Sequence, residues 1–167
     1  MITIIQPIDM LNRYGDNEMA QRCTSDSALP ISAQQLRTGV LSGDRTTWSS
    51  DLRGEVDSAV AKLTAACETA NELITGAARS GGLIGTEDTP TKIPQDVKYF
   101  ALSIARYQLY EDRCPEHIRL NYEDAVSWIN KVAQGKISID LGLDTPRGSG
   151  YQVLDITYPL MSSDQWI

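Results

Sequence analysis

The sequence predicts an all-α fold: a small helical bundle with one long helix and a helical hairpin, long inter-helix loops, and an extended C-terminal arm with short β-strand character. Three observations predict it. From Ser50 to Ala78, apolar residues recur in seven-residue rows: Leu52, Ala59, Ala66 and Leu73; Val56, Leu63, Ala70 and Ala77; Val60, Cys67 and Ile74. Together these rows form one broad stripe at helical spacing. Two later apolar stripes each begin at a proline, Pro94 and Pro115, where a missing N–H costs nothing because it lies at a helix start. Aromatics are only 7% of the chain, with a single Phe, so the core is built from Leu, Ile, Val and Ala, which suits closely packed helices.

Taken in order, Pro7 opens a short helix with Ile8, Leu11 and Tyr14 on one face, ended by Gly15. Asp16 is expected to cap a second short helix that runs to Cys23. Residues 24–50 mix Ser, Thr, Gly and Pro, carry the turn signal Ser42-Gly43-Asp44, and read as an inserted, mostly irregular loop with a helical turn at Ser32 to Arg37. The long helix follows, rich in Ala and therefore dependent on packing for its stability. Residues 79–92 read as a Gly/Thr-rich loop that projects from a helical hairpin. The Pro94 helix buries Val97, Phe100, Ala101, Ile104, Ala105 and Leu109; the Pro115 helix buries Ile118, Tyr122, Ala125, Ile129 and Val132 and closes at Gly135. Lys136 to Leu141 alternates as a strand does, and so does Gln152 to Tyr158, with the turn-rich linker Asp144 to Gly150 between them. The division is a helical domain at 1–144 and an arm at 145–167.

Charge and chemistry narrow the function. The formal net charge is −7, which argues against a basic face for gripping nucleic acid and fits either solubility or a duct along which DNA slides without sticking. Cys23, Cys67 and Cys114 are widely spaced and odd in number, and His117 is the only histidine. Neither a disulfide framework nor a His-rich metal site is expected, and the thiols read as reduced. There is no basic leader followed by a long apolar run, and no stretch of roughly 20 apolar residues. Ser80-Gly81-Gly82-Leu83-Ile84-Gly85 lacks the Lys-Ser/Thr of a phosphate loop and follows no strand. The acidic clusters Glu111-Asp112 and Glu123-Asp124 read as solvated helix ends, His117 as a solvent-facing side chain, and Cys67 as a core residue. No catalytic, cofactor or metal site is expected, and hence no enzyme.

The segment from Ile93 to Tyr110, Ile93-Pro94-Gln95-Asp96-Val97-Lys98-Tyr99-Phe100-Ala101-Leu102-Ser103-Ile104-Ala105-Arg106-Tyr107-Gln108-Leu109-Tyr110, resembles the signature helix of the Mu-like virion proteins and related phage head–tail connectors. Arg113-Cys114-Pro115-Glu116, Tyr122-Glu123-Asp124-Ala125, Trp128-Ile129 and Val132-Ala133-Gln134-Gly135-Lys136 are similar to the same family, as is Asp9-Met10-Leu11-Asn12-Arg13-Tyr14-Gly15 before Glu18-Met19. The resemblance covers roughly 1–23 and 55–141, with 24–54 as an expansion. The chain departs from the family after the long helix, where Ala78-Arg79-Ser80-Gly81-Gly82 stands in place of Arg-Tyr and Pro-Leu pairs.

The resemblance implies a structural head–tail adaptor of a tailed phage, located at the head–tail junction of the virion and in host cytoplasm during assembly. Its implied partners are identical subunits in a ring, typically of twelve, the portal protein, and a stopper or tail-terminator protein, with packaged DNA passing through unread. The alternatives are a tail-completion or stopper protein of the neck and, in a different class, a DNA-binding helical regulator. A fold-back hairpin and strand pairing with a partner both suit the arm. The residues expected to bind portal or neighbour are Arg147, Tyr151, Val153, Leu154, Ile156, Tyr158, Trp166 and Ile167; those expected to face the channel or next ring are Arg79, Gly81, Gly82, Leu83 and Ile84.

Overall fold

The computed structural model describes residues 2–24, 29–85, 90–110 and 114–142. Among these residues there are six α-helices and no strand: α1 (Pro7–Tyr14), α2 (Asp16–Cys23), α3 (Ala33–Val40), α4 (Ser50–Ser80), α5 (Gln95–Tyr110) and α6 (Glu116–Ala133). The fold is the small all-α bundle that the periodicity predicts. Helices α4, α5 and α6 pack on one another, and α1 to α3 pack across α4, with α1 and α2 also reaching α5.

Helix α4 has 31 residues, about 46 Å at 1.5 Å per residue. Ser49 begins it by accepting a hydrogen bond from the Leu52 N–H at 3.2 Å. Its buried face carries Val56, Ala59, Leu63, Ala66, Cys67, Ala70, Ile74, Ala77 and Ala78. Leu73, expected in the stripe, is instead 45% exposed. A seven-residue repeat drifts about 20° per heptad around a straight helix, and by the fourth member of its row Leu73 has turned off the covered face.

The segment 24–50 holds more structure than its composition suggests. Ser32 and Gln35 form a reciprocal capping box: the Gln35 N–H donates to Ser32 Oγ at 3.2 Å, and the Ser32 N–H donates to Gln35 Oε1 at 2.7 Å. A full helix, α3, follows where a single turn was expected, with Leu36 and Gly39 buried. Gly39 lets α3 lie close on α4: a Cβ there would stand 2.5 Å from Val56 Cγ1. At the end of α3 the Gly43 N–H donates to the Thr38 carbonyl at 2.8 Å while Ser42 takes a φ of 53°. This is a left-handed cap on a serine.

Asp16 does not cap α2. Gly15, at φ 90°, serves as the boundary of both α1 and α2, and Asp16 is the first helical residue. Its carboxylate instead takes both arms of the Arg37 guanidinium, at 2.6 and 2.8 Å, and so ties α2 to α3. A second fork joins α2 to α5: Arg106 donates to Glu18 at 2.7 and 2.9 Å, and the Tyr110 hydroxyl donates to the same carboxylate at 2.9 Å. The Arg106 guanidinium lies over the Tyr14 ring, 4.3 Å from its centre. Between α5 and α6, Tyr107 stacks on Tyr122 at 4.0 Å and Phe100 on Trp128 at 4.6 Å.

The N-terminal segment is fastened to the C-terminal half of α4 by one buried amide. Asn71 is 4% exposed. Its Oδ1 accepts the N–H groups of Ile4 and Ile5 at 3.2 and 3.0 Å, and its Nδ2 donates to the Ile5 carbonyl at 3.0 Å. The loop placed three buried-side backbone groups where no helix can satisfy them, and Asn71 satisfies all three. Asn71→Ala is expected to lower unfolding free energy by about 3 kcal/mol, since each orphaned buried group costs about 1–3 kcal/mol; urea unfolding followed by circular dichroism measures it.

Candidate functional site

Of the residues expected to project after α4, Leu83 and Ile84 are turned inward. The Leu83 N–H donates to the Ala78 carbonyl at 2.9 Å and the Gly82 N–H to the Arg79 carbonyl at 3.0 Å, with Gly82 at φ 72°. This is a Schellman ending, which brings the residue after the glycine back onto the helix. Leu83 and Ile84 are accordingly 8% and 4% exposed, in a satellite core with Ala77, Ala78, Val132 and Leu141. They present nothing to a channel. Arg79 and Gly82 are exposed, and Gly81 is half-buried against α6, where a Cβ would collide with the Val132 carbonyl oxygen. Among the described residues from 79 to 85, the exposed ones are Arg79, Ser80 and Gly82.

The stretch 136–141 keeps its alternation but forms no ladder. Leu141 is buried and Ile137 and Ile139 are half-buried, while Lys136, Ser138 and Asp140 are exposed. The extended strap lies along residues 91–92, bound by the Lys92 N–H to the Leu141 carbonyl at 3.3 Å and by the Thr91 hydroxyl to the Gly142 carbonyl. An ion pair of Lys92 Nζ with Asp140 at 3.0 Å adds to it and holds the Asp140 carboxyl below its ordinary range. The arm residues Arg147, Tyr151, Val153, Leu154, Ile156, Tyr158, Trp166 and Ile167 lie outside the described residues.

What faces outward in their place is the far side of α4. Between α4 and α6 runs an open groove of about 420 Å³, floored by Gly76 and Ala77 of α4 and by Ile129 and Ala133 of α6, with Thr69, Glu72, Leu73 and Ser80 along its edge. Continuing toward the N-terminus of α4, the exposed positions include Ala65, Ala61, Ser58 and Gly54, interleaved with the exposed charged residues Glu68, Asp57 and Arg53. Small side chains allow another surface to approach the helix backbone closely. The row repeats at three- and four-residue steps, but sequence reading looked for the apolar stripe and passed over the small-residue stripe opposite it.

On the inner side of α4 a second, smaller and partly open space of about 20 Å³ lies between Ile4, Ile74, Thr75, Ile93, Val97 and Leu141. This has room for about one water molecule. The Thr75 hydroxyl, in a residue only 6% exposed, has no hydrogen-bond partner among the described residues.

Among the described residues, no group of three or more His, Cys, Asp or Glu side chains is placed to hold a metal ion, and no helix is long and apolar enough to cross a membrane. His117 is exposed near the start of α6, and Glu123 is engaged by Arg119 one turn away. Glu111 and Asp112 lie outside the described residues. Cys23 and Cys67 are 5% and 2% exposed. Burial pushes their thiols up, to about 11 and about 12 respectively, so neither is a thiolate near neutrality. Cys114 is half-buried.

In the native protein at pH 8, alkylation read by mass spectrometry is therefore expected to modify Cys114 while leaving Cys23 and Cys67 unmodified, and to modify all three in urea. The raised thiols also fix the sign of an alkaline effect. Below about pH 9 both states keep the protons; above it the unfolded chain ionises first, so stability falls from pH 9 to beyond 11.

The sequence matches the model of the family described as "Bacteriophage Mu, Gp36" over residues 5–153. No curated protein and no solved structure matches the chain. The match takes in all six helices, the strap after α6 and the groove, and it extends past the last described residue. The chain accordingly belongs to the bacteriophage Mu Gp36 family and is a phage protein of the structural or morphogenesis class, associated with the virion.

Proposed function

We propose that this protein is a head–tail adaptor of a tailed bacteriophage: a non-enzymatic subunit that forms a ring beneath the portal, extends the DNA channel and joins the tail. The observation that carries this reading is membership of a phage virion family across nearly the whole chain.

The physical character of the bundle supports it. A ring subunit needs two unlike flanks that fit each other, because heterologous contacts related by a rotation close a ring. Helix α4 offers one long flank on which small side chains alternate with Asp57, Glu68 and Glu72 and which carries a single exposed leucine, Leu73. The proposed partners are identical subunits, portal protein and a stopper or tail-terminator protein. DNA passes through the ring by electrostatic indifference, since a net charge of −7 disfavours retention of phosphates. Repetition around the ring multiplies weak single contacts into a stable joint.

Electron microscopy of portal-bearing capsids, with and without the purified protein, tests the reading. Added protein is expected to appear as a ring below the portal, and a portal left bare at saturating protein would overturn the proposal. Truncation after Asp144 is expected to leave the circular dichroism spectrum of the helical domain nearly unchanged and to abolish capsid binding in a sedimentation assay. Undiminished binding by the truncated chain removes the arm from the mechanism.

A further inference from the structure

The groove between α4 and α6 and the start of the C-terminal tail lie on opposite sides of α4. At about 100° per residue, Leu73, Gly76 and Ser80 project to one side, and Ile74, Thr75 and Ala78 to the other. The first set borders the groove. The second set lines the small inner space together with Leu141, and the tail from 143 onward begins one residue after Gly142, which is fastened to Thr91 on that same side. Gly142, the last described residue, thus lies on one flank, and an apolar trough stands open on the other.

That tail has the composition of something that is covered. Leu154, Ile156, Leu160, Met161, Trp166 and Ile167 fall within its final stretch. Its reach when fully extended is up to roughly 80 Å, against roughly 40 Å for the width of a domain of this size. It is long enough to cross to an adjacent copy. The groove, at about 420 Å³, is within the range of clefts that bury an anchoring group, roughly 300–1,000 Å³, and tryptophan is the side chain most favoured as such an anchor.

We propose that the α4–α6 groove is the receptor for the C-terminal arm of a second copy of this chain, with Trp166 as its anchor. The inference rests on the adaptor reading only in sharing its ring; the arm is here assigned to the neighbouring subunit. Departure on one flank and reception on the other is the head-to-tail arrangement that closes rotationally. An arm seated in its own groove has to wrap around the bundle, whereas an arm from the neighbour arrives on the correct side.

The test uses the full-length chain with the photo-crosslinker p-benzoylphenylalanine at Thr69, on the groove edge, in a mixture of nitrogen-15-labelled and unlabelled copies. Irradiation is expected to join position 69 to a peptide within 143–167, with heavy-to-light pairs that increase with protein concentration. Leu73→Asp alters an exposed position and leaves the fold intact; it is expected to raise the concentration at which copies associate by at least tenfold in sedimentation velocity. Trp166→Ala is expected to do the same. Crosslinks confined to a single copy, crosslinks to any other part of a neighbour, or none at all overturn the proposal. Rings that assemble unchanged with Leu73→Asp overturn the groove and leave the adaptor reading standing. Heavy-to-light arm crosslinks from a protein that ignores portal-bearing capsids do the reverse.

Discussion

Burial of one face of α4 is the constraint on which the remaining structure depends. A helix of this length with five alanines on its buried face has little to hold it in water alone, and each other element contributes by covering part of it. Helices α1, α2, α3, α5 and α6 all pack on it, α3 against Val56 and Val60 near its start, and the segment before α1 crosses its C-terminal half, where Asn71 receives it. The small side chains that make this helix dependent on its neighbours also let them come close. At Gly39 the α3 backbone reaches the valines of α4, and at Gly81 the end of α4 meets the end of α6. Polar forks then fix the order of the pieces: Asp16 with Arg37 and Glu18 with Arg106 each use a bidentate geometry that a shifted register does not reproduce.

The fold was legible where sequence signals are local and repeated. The limits of α1, the run of α4, and the proline starts of α5 and α6 follow from capping and periodicity alone. Residues 24–50 were harder, because α3 is only eight residues long and its two buried positions, Leu36 and Gly39, do not make a stripe. The Ser32 to Gln35 spacing did carry the signal as a capping box. The glycines after α4 were also informative and were read the wrong way: Gly81-Gly82-Leu83 specifies a helix ending that folds Leu83 inward. Alternation at 136–141 correctly gave the inward side of an extended segment, and it could not give a ladder because pairing depends on a second strand elsewhere in the chain.

The candidate site was less legible, and the reason is physical. Surfaces that bind are defined by what two elements leave open between them, and neither α4 nor α6 reports the groove by itself. Leu73 illustrates this: its row places it with Ala59 and Ala66, yet the accumulated rotation of the helix carries it to the rim. Family membership constrains the class of the protein, and the two flanks of α4 supply the physical character of its contacts.

The strap from Lys136 to Gly142 has a mechanical consequence. It meets the bundle through the side chains of Ile137, Ile139 and Leu141 and through bonds to Thr91 and Lys92 that lie at its far end. A load applied to the tail from outside reaches those bonds one after another, as a peeled tape does, before any of it reaches the helices. Slack for a displaced neighbour is thereby available from the strap, at the expense of a few contacts, while the bundle keeps its shape.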